Sequence, residues 1–84
     1  MTPKIELTLI GKPGCHLCDD AEAVVLEVMS EFADSVSLTK QNILDDDELF
    51  ARYSEEIPVL LINGKVHNYW RIDPERLRSA LSSL

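Results

Sequence analysis

The sequence predicts an α/β domain in which a mixed four-stranded sheet carries helices on both faces. Three observations support this fold class: strand patterns alternate with helical ones, an Asn63-Gly64 pair separates two short strands, and an Asp73-Pro74 pair opens a last helix. Together they give the order β-α-β-α-β-β-α. A length of 84 residues suits one modest core, so we expect a single domain over residues 1–84.

The first half of the chain is predicted to form a strand, a helix, a strand and a short helix. Residues 4–10 alternate apolar and polar side chains, as a strand does, and from Cys18 onward apolar residues recur at helical spacing. Residues 35–39 alternate again, and an acidic run at 45–48 then opens a short helix with an acid as its N-cap. Because a helix joins the first two strands, we expect them to be parallel, with a right-handed crossover.

The second half is predicted to form a hairpin and a final helix. Residues 59–62 form a short apolar strand, and the two-residue turn after it returns the chain antiparallel as far as about Tyr69. Asp73 is suited to the N-cap of the last helix, and Pro74 to its first helical position. No repeat and no second domain is indicated.

Charge and hydropathy restrict the partners and the location. The chain has 15 acidic and 8 basic residues and a net charge of −7, which argues against nucleic acid and anionic membranes as partners. No apolar run approaches the ~20 residues that span a bilayer. The N-terminal residues lead into the first strand pattern without the apolar centre of a signal peptide. We therefore expect a cytoplasmic protein, and a monomer.

The two cysteines of the chain, Cys15 and Cys18, lie where the first strand pattern gives way to the first helical one. A thiol at the first turn of a helix meets unpaired N–H groups and the positive end of the helix dipole, which favour the thiolate. Cys18 lies one turn further in, and we expect it to be more buried and protonated. These environments assign Cys15 as the thiol that attacks a substrate disulfide, and Cys18 as the thiol that resolves the mixed disulfide.

Four further residues are candidates for a role beside Cys15 and Cys18: Lys12, His16, Ile57 and Pro58. A protonated His16 would place a positive charge beside Cys15, and Lys12 would raise the local potential; alternatively, His16 is an exposed ring with little effect and Lys12 an ordinary loop lysine. A cis Pro58 would leave the backbone of Ile57 free to pair with an extended substrate segment. From the residues alone, an ordinary trans proline that ends the preceding helix is an equal alternative.

Residues 10–18 resemble the active-site segment of the glutaredoxins, in which Lys-Pro-x-Cys-Pro-Tyr-Cys follows the first strand. The run here is Ile10-Gly11-Lys12-Pro13-Gly14-Cys15-His16-Leu17-Cys18. With the element order, it identifies the chain as a glutaredoxin-like member of the thioredoxin superfamily along nearly its whole length. The resemblance implies the thioredoxin fold of the minimal glutaredoxin type, a cis Pro58, and thiol–disulfide exchange. The implied partners are a disulfide-containing protein or small thiol, and a reductant such as glutathione or a thioredoxin-type system.

The chain departs from that family at the glutathione site. Glutaredoxins carry Gly-Gly and an acid after the last strand, whereas residues 68–73 contain no glycine and only Asp73 as an acid. The usual binding motif for glutathione is therefore not matched, and no cofactor is predicted. Tyr69 and Trp70 lie in this stretch and are candidates for an aromatic contact with a protein partner; alternatively, they cover the edge of the sheet.

Two other function classes stay open beside a dithiol oxidoreductase. In a dimer, the Cys15 and Cys18 pairs of two chains would supply four sulfurs, enough for zinc or an iron–sulfur cluster. His67 is a possible ligand, but it stands alone on its strand, and a surface or packing role is preferred. The last class is a redox-inert interaction module that has kept the fold, although the intact cysteine pair speaks against it. We therefore favour an enzyme that exchanges disulfides.

Overall fold

The computed structural model describes residues 4–84, apart from the side chains of Ala33 and Asp34. Four strands form one sheet in the order β2-β1-β3-β4. Their bounds are β1 (Ile5–Gly11), β2 (Val36–Asn42), β3 (Val59–Ile62) and β4 (Lys65–Tyr69). β1 pairs in parallel with β2 and antiparallel with β3, which in turn pairs antiparallel with β4. The predicted mixed four-stranded sheet is therefore confirmed.

Three helices complete the predicted order, namely α1 (His16–Met29), α2 (Asp47–Tyr53) and α3 (Pro74–Ser82), with short 3-10 turns at Ser30–Ser35 and Ile43–Asp45. Each helix begins at a side chain that accepts backbone N–H groups: Cys15 for α1, Asp46 for α2 and Asp73 for α3. The expected acidic caps are thus present. Across residues 4–84, none of the helices is long and apolar enough to cross a membrane.

The second strand is longer than the alternation at 35–39 predicts. Polar residues continue from Lys40 to Asn42, yet the pairing with β1 extends to Asn42, which lies opposite Gly11. An edge strand needs no apolar side chains on its outer residues as long as its backbone is paired. The ladder with β1 therefore sets the end of β2.

Apolar residues are buried on both faces of the sheet. On one face, Leu7 and Leu9 of β1 pack in a cluster that includes Val25 of α1 and Leu77 of α3. On the other face, a smaller cluster is formed by Ile10, Ile43 and Val59, with Leu49 of α2 and its neighbours packed against it. Successive residues of a strand point to opposite faces, so the central β1 is covered on both sides. The prediction of helices on both faces is confirmed.

The β3–β4 turn is the predicted two-residue hairpin. Asn63 and Gly64 both have positive φ, of 50° and 84°, as a type I′ turn requires. The amide of Glu6 donates to Asn63 Oδ1 at 2.9 Å, and the amide of Asn63 donates to the Glu6 carbonyl at 2.8 Å. These bonds fasten the turn to the start of β1. They lie at the end of the sheet away from the cysteines. Their role is to fix the register of the hairpin against β1.

Candidate active site

A disulfide joins Cys15 and Cys18, whose Cα atoms lie 5.2 Å apart. Cys15 is the N-cap of α1, and its Sγ accepts the backbone N–H of Cys18 at 3.1 Å. Cys15 is half-buried, whereas Cys18 is only 8% exposed. Cys15 thus carries the outer sulfur and Cys18 the inner one, as a helix start at this point predicts.

The loop after β1 turns the chain into α1 at the right place for this cap. Gly14 has a φ of +76°, a left-handed conformation that glycine adopts without steric cost. Cys15 is extended and its carbonyl accepts the N–H of Asp19 at 3.1 Å, which is the first bond of the helix. The glycine therefore directs the chain so that the cysteine side chain faces the open end of α1.

Gly11 is a residue of the site that sequence reasoning misses, since the sequence pattern indicates only a loop glycine there. A Cβ at this position would lie 2.8 Å from Cys18 Sγ and 3.2 Å from Cys18 Cβ. The backbone of Gly11 is fixed because it is the last residue of β1 and pairs with Asn42 of β2. The inner cysteine therefore packs directly on the backbone of the sheet, in space that only glycine leaves free.

Lys12 and His16 are both exposed. Lys12 lines a groove of about 300 Å³ that Cys18 also lines, together with residues of α1 and β2. His16 is the first residue of α1, directly after the outer cysteine. Lys12 thus lies in the same groove as the inner cysteine, Cys18. His16 lies at the start of α1, beside the outer cysteine.

The Ile57–Pro58 peptide bond is cis, as the resemblance to glutaredoxins implies. Val59 lies opposite Ile10 in the β1–β3 register, so Pro58 lies at the end of the sheet where β1 leads into the cysteine loop. The carbonyl of Pro58 accepts the N–H of Trp70 at 2.8 Å. The cysteine loop, the proline segment and the end of β4 therefore meet at one end of the sheet.

Tyr69 and Trp70 form an exposed aromatic pair at that end. Their rings contact edge to face with centroids 5.0 Å apart, and the residues are 45% and 52% exposed. Trp70 has a φ of +65°, and its indole N–H donates to the carbonyl of Glu55 at 3.1 Å. A cavity of about 260 Å³ lies between Trp70 and Leu17 of α1. The two rings are thus held in position but largely uncovered.

His67 lies on β4 apart from the cysteines. Burial, and less strongly the charge of Arg76, lower the pKa of His67, and its Nε2 is buried with no hydrogen-bond partner among the described residues. Within residues 4–84, no group of three or more His, Cys, Asp or Glu side chains is arranged to hold a metal ion.

Comparison with known proteins agrees with the family that the sequence predicts. Residues 6–82 match the family described as glutaredoxin-like domain (DUF836). The chain belongs to this family. The glutaredoxin-like chain is also 26% identical over 84 residues to a glutaredoxin-like protein of Dictyostelium discoideum, a match that covers 95% of this chain and 78% of the relative.

Solved structures show the same fold. An X-ray structure of a protein from X. campestris superposes with a TM-score of 0.76 at 29% identity, over 93% of this chain and 97% of the other. Thioredoxin-2 of a malaria parasite superposes with a TM-score of 0.72 at 13% identity, over 100% of this chain and 86% of the other, which shows the fold alone. The glutaredoxin-like chain thus has a thioredoxin fold, and both the predicted family and the predicted fold are confirmed.

Proposed function

We propose that the protein is a small dithiol oxidoreductase that exchanges disulfides through Cys15 and Cys18. The observation that carries the proposal is the asymmetric pair itself: an outer sulfur at the N-cap of α1, bonded to an inner sulfur that is buried. A structural disulfide needs neither a helix cap nor an accessible sulfur. In a cytoplasmic protein, such a pair is more often redox-active than structural.

The reaction transfers two electrons to the substrate. The Cys15 thiolate attacks one sulfur of a substrate disulfide; the substrate S–S bond breaks and its other sulfur leaves as a thiolate. Cys18 then attacks Cys15 Sγ, which forms the disulfide seen here and releases the second substrate sulfur. Two molecules of a small thiol such as glutathione, which leave as their disulfide, or one thioredoxin-type dithiol, which becomes oxidised in turn, return both electrons and restore the two thiols.

The start of α1 supports Cys15 as the attacking thiolate. Its sulfur accepts the Cys18 N–H and faces the positive end of a 14-residue helix, and such a position stabilises a negative charge by about 0.3–1 kcal/mol or more. His16 and Lys12 are proposed to add positive potential on either side of the cysteine. Cys18, with little exposure, is the better candidate for the resolving thiol.

The substrate surface is proposed to lie at the same end of the sheet. The backbone of Ile57 would border an extended segment of the substrate beside the outer sulfur, and Pro58, whose side chain is fully buried, would hold that backbone in place through its cis bond. Tyr69 and Trp70 would contact a disulfide-containing protein, since about half of each residue is exposed at the end of the sheet where the cysteine loop lies. The Leu17 side chain, 40% exposed on the first turn of α1, extends this apolar surface.

Serine substitution of each cysteine tests the proposal, and each variant is the control for the other. Cys15→Ser should abolish exchange with a test disulfide because the attacking thiolate is lost. Cys18→Ser should still attack but not resolve, so that a mixed disulfide accumulates and is detected by intact-protein mass as one added substrate half. Full and equal activity in both variants would refute the proposed roles.

A further inference from the structure

Cys18 must lose a proton before it can resolve the mixed disulfide, and its position makes this difficult. A buried thiol is harder to ionise than an exposed one, and Cys18 is 8% exposed and packed on Gly11. The backbone N–H of Cys18 donates to Cys15 Sγ, so this hydrogen bond supports the outer sulfur and not the inner one. Resolution therefore needs a group that takes the proton from the inner side of the site.

The groove beside Cys18 provides such a group. It has a volume of about 300 Å³ and lies between the end of β1, the first turns of α1, and β2. That volume accommodates several waters, since one water needs only about 10–15 Å³ of such space. The charged residues that line it are Lys12, Asp19, Glu22, Lys40 and Asp45.

Of the three carboxylates in the groove, Glu22 is the one placed on the same side of α1 as Cys18. It follows Cys18 by four residues, a spacing that stacks two side chains on one face of a helix. Asp19 follows Cys18 directly and is rotated by roughly 100° around the helix. Asp45 is exposed and lies in the 3-10 turn after β2, across the groove.

Lys40 of β2 fixes the carboxylate of Glu22. Its Nζ lies 2.9 Å from Glu22 Oε1 and 2.8 Å from Oε2, and the Glu22 side chain is only 28% exposed. Both oxygens are thus directed across the groove from α1 toward the edge strand, where the Lys40 side chain is itself 64% exposed. The ion pair positions a proton acceptor at the groove without removing its remaining lone pairs.

We propose that Glu22 accepts the Cys18 proton through water in the groove, and that Lys40 is the positioning residue for Glu22. The inference rests on the proposed function. As the Cys18 sulfur bonds to Cys15 Sγ, the bond from Cys15 to the substrate sulfur breaks and its electron pair leaves on that sulfur. The Cys18 proton passes to the Glu22 carboxylate and is then released to solvent or to the departing thiolate.

A charge effect and a proton-acceptor role predict opposite results when Glu22 is neutralised. A negative charge near Cys18 opposes formation of a second negative charge on its sulfur. If Glu22 acted through its charge alone, Glu22→Gln would ease ionisation and speed resolution. If Glu22 takes the proton, the same substitution slows resolution, because glutamine keeps the shape and accepts no proton.

The test is a quenched-flow measurement of the mixed disulfide with a small test disulfide at neutral pH. In Glu22→Gln, formation of the mixed disulfide should keep its wild-type rate, and its decay should slow at least tenfold, since general-base effects are about 10²–10⁴. The deficit should shrink as the pH rises, because hydroxide replaces the carboxylate. Decay of the mixed disulfide at or above the wild-type rate would overturn the proposal.

Two further variants complete the design. Glu27→Gln makes the same change in charge on an exposed residue of α1 that lines neither the groove nor the cavity beside Trp70, and it should resolve at the wild-type rate. Equal slowing in Glu27→Gln and Glu22→Gln would overturn the assignment to Glu22. Lys40→Met should slow resolution by a smaller factor than Glu22→Gln, and a wild-type rate there would overturn the positioning role. If Cys18→Ser forms no mixed disulfide, the proposed function fails independently of Glu22.

Discussion

The two edges of the sheet differ in regularity, and each lies beside a different part of the active site. On the β2 side, all seven residues of β1 pair in unbroken parallel register, and the groove of Cys18 is lined by several charged residues. On the β4 side, the register shifts between Leu60 and Leu61, His67 has no partner on β3, and Trp70 has positive φ. The regular edge fixes the inner sulfur, whereas the irregular edge presents aromatic rings to solvent.

The largest expected effect comes from crowding Cys18 at the regular β1–β2 ladder. In Gly11→Ala, the new Cβ would lie 2.8 Å from Cys18 Sγ, and neither the paired backbone nor the first turn of α1 can move freely. Overpacking of this kind costs about 1–3 kcal/mol. We expect that loss in the free energy of unfolding, measured by urea denaturation of the oxidised protein, and slower resolution of the mixed disulfide in the reduced protein.

Gly64→Ala is the matched control for this crowding. Gly64 lies in the hairpin turn with a φ of +84°, and a Cβ added there would have no atom within 4 Å, so alanine causes backbone strain without a contact. Strain of this kind costs about 1–2 kcal/mol. Stability should fall, but resolution should keep its wild-type rate. A Gly11→Ala protein that resolves as fast as Gly64→Ala would show that the contact with Cys18 does not matter.

A smaller effect is expected from truncation at the irregular edge. Trp70→Ala removes a ring that is 52% exposed and that we propose to contact protein substrates. Exposed aromatic residues in the centre of an interface often contribute more than 1 kcal/mol to binding, so kcat/KM for a protein disulfide should fall about tenfold. The value for a small disulfide should not change, because Cys15 and Cys18 are untouched.

Trp70→Gly separates docking from stability. At a φ of +65°, alanine keeps the steric cost of the left-handed backbone and glycine relieves it, by about 1 kcal/mol or more. Trp70→Gly should therefore unfold at higher urea concentration than Trp70→Ala. If both variants lose the same activity toward the protein substrate despite this difference, the loss belongs to the ring; if activity follows stability instead, the proposed contact is wrong.

Signals that are local in the sequence predict the fold and the centre of the site. The Asn63-Gly64 turn and the Asp73 cap each act on backbone groups within a few residues, and the structure has both. The same holds for Cys15, whose place at the start of α1 follows from the change in periodicity beside it. Such features need no knowledge of what packs against them.

Side-chain contacts between distant segments could not be predicted. The contact of Gly11 with Cys18 depends on how closely α1 approaches β1, and the pair of Glu22 and Lys40 depends on the register of β1 with β2. Neither residue pair has a spacing that signals contact. The missing partner of His67 on β3 likewise arises from the register shift and not from any residue type.

The smallest expected effect is a pH dependence at His67 on the irregular edge. Burial, and secondarily Arg76, lower the pKa of His67, so the unfolded chain, with a value near 6.5, binds a proton before the folded one. The contribution to stability is complete above that pH and is lost as the pH falls. His67→Gln should flatten this decline in urea titrations between about pH 7 and 5, and Arg76→Gln should flatten it less. An unchanged slope in His67→Gln would contradict the assignment.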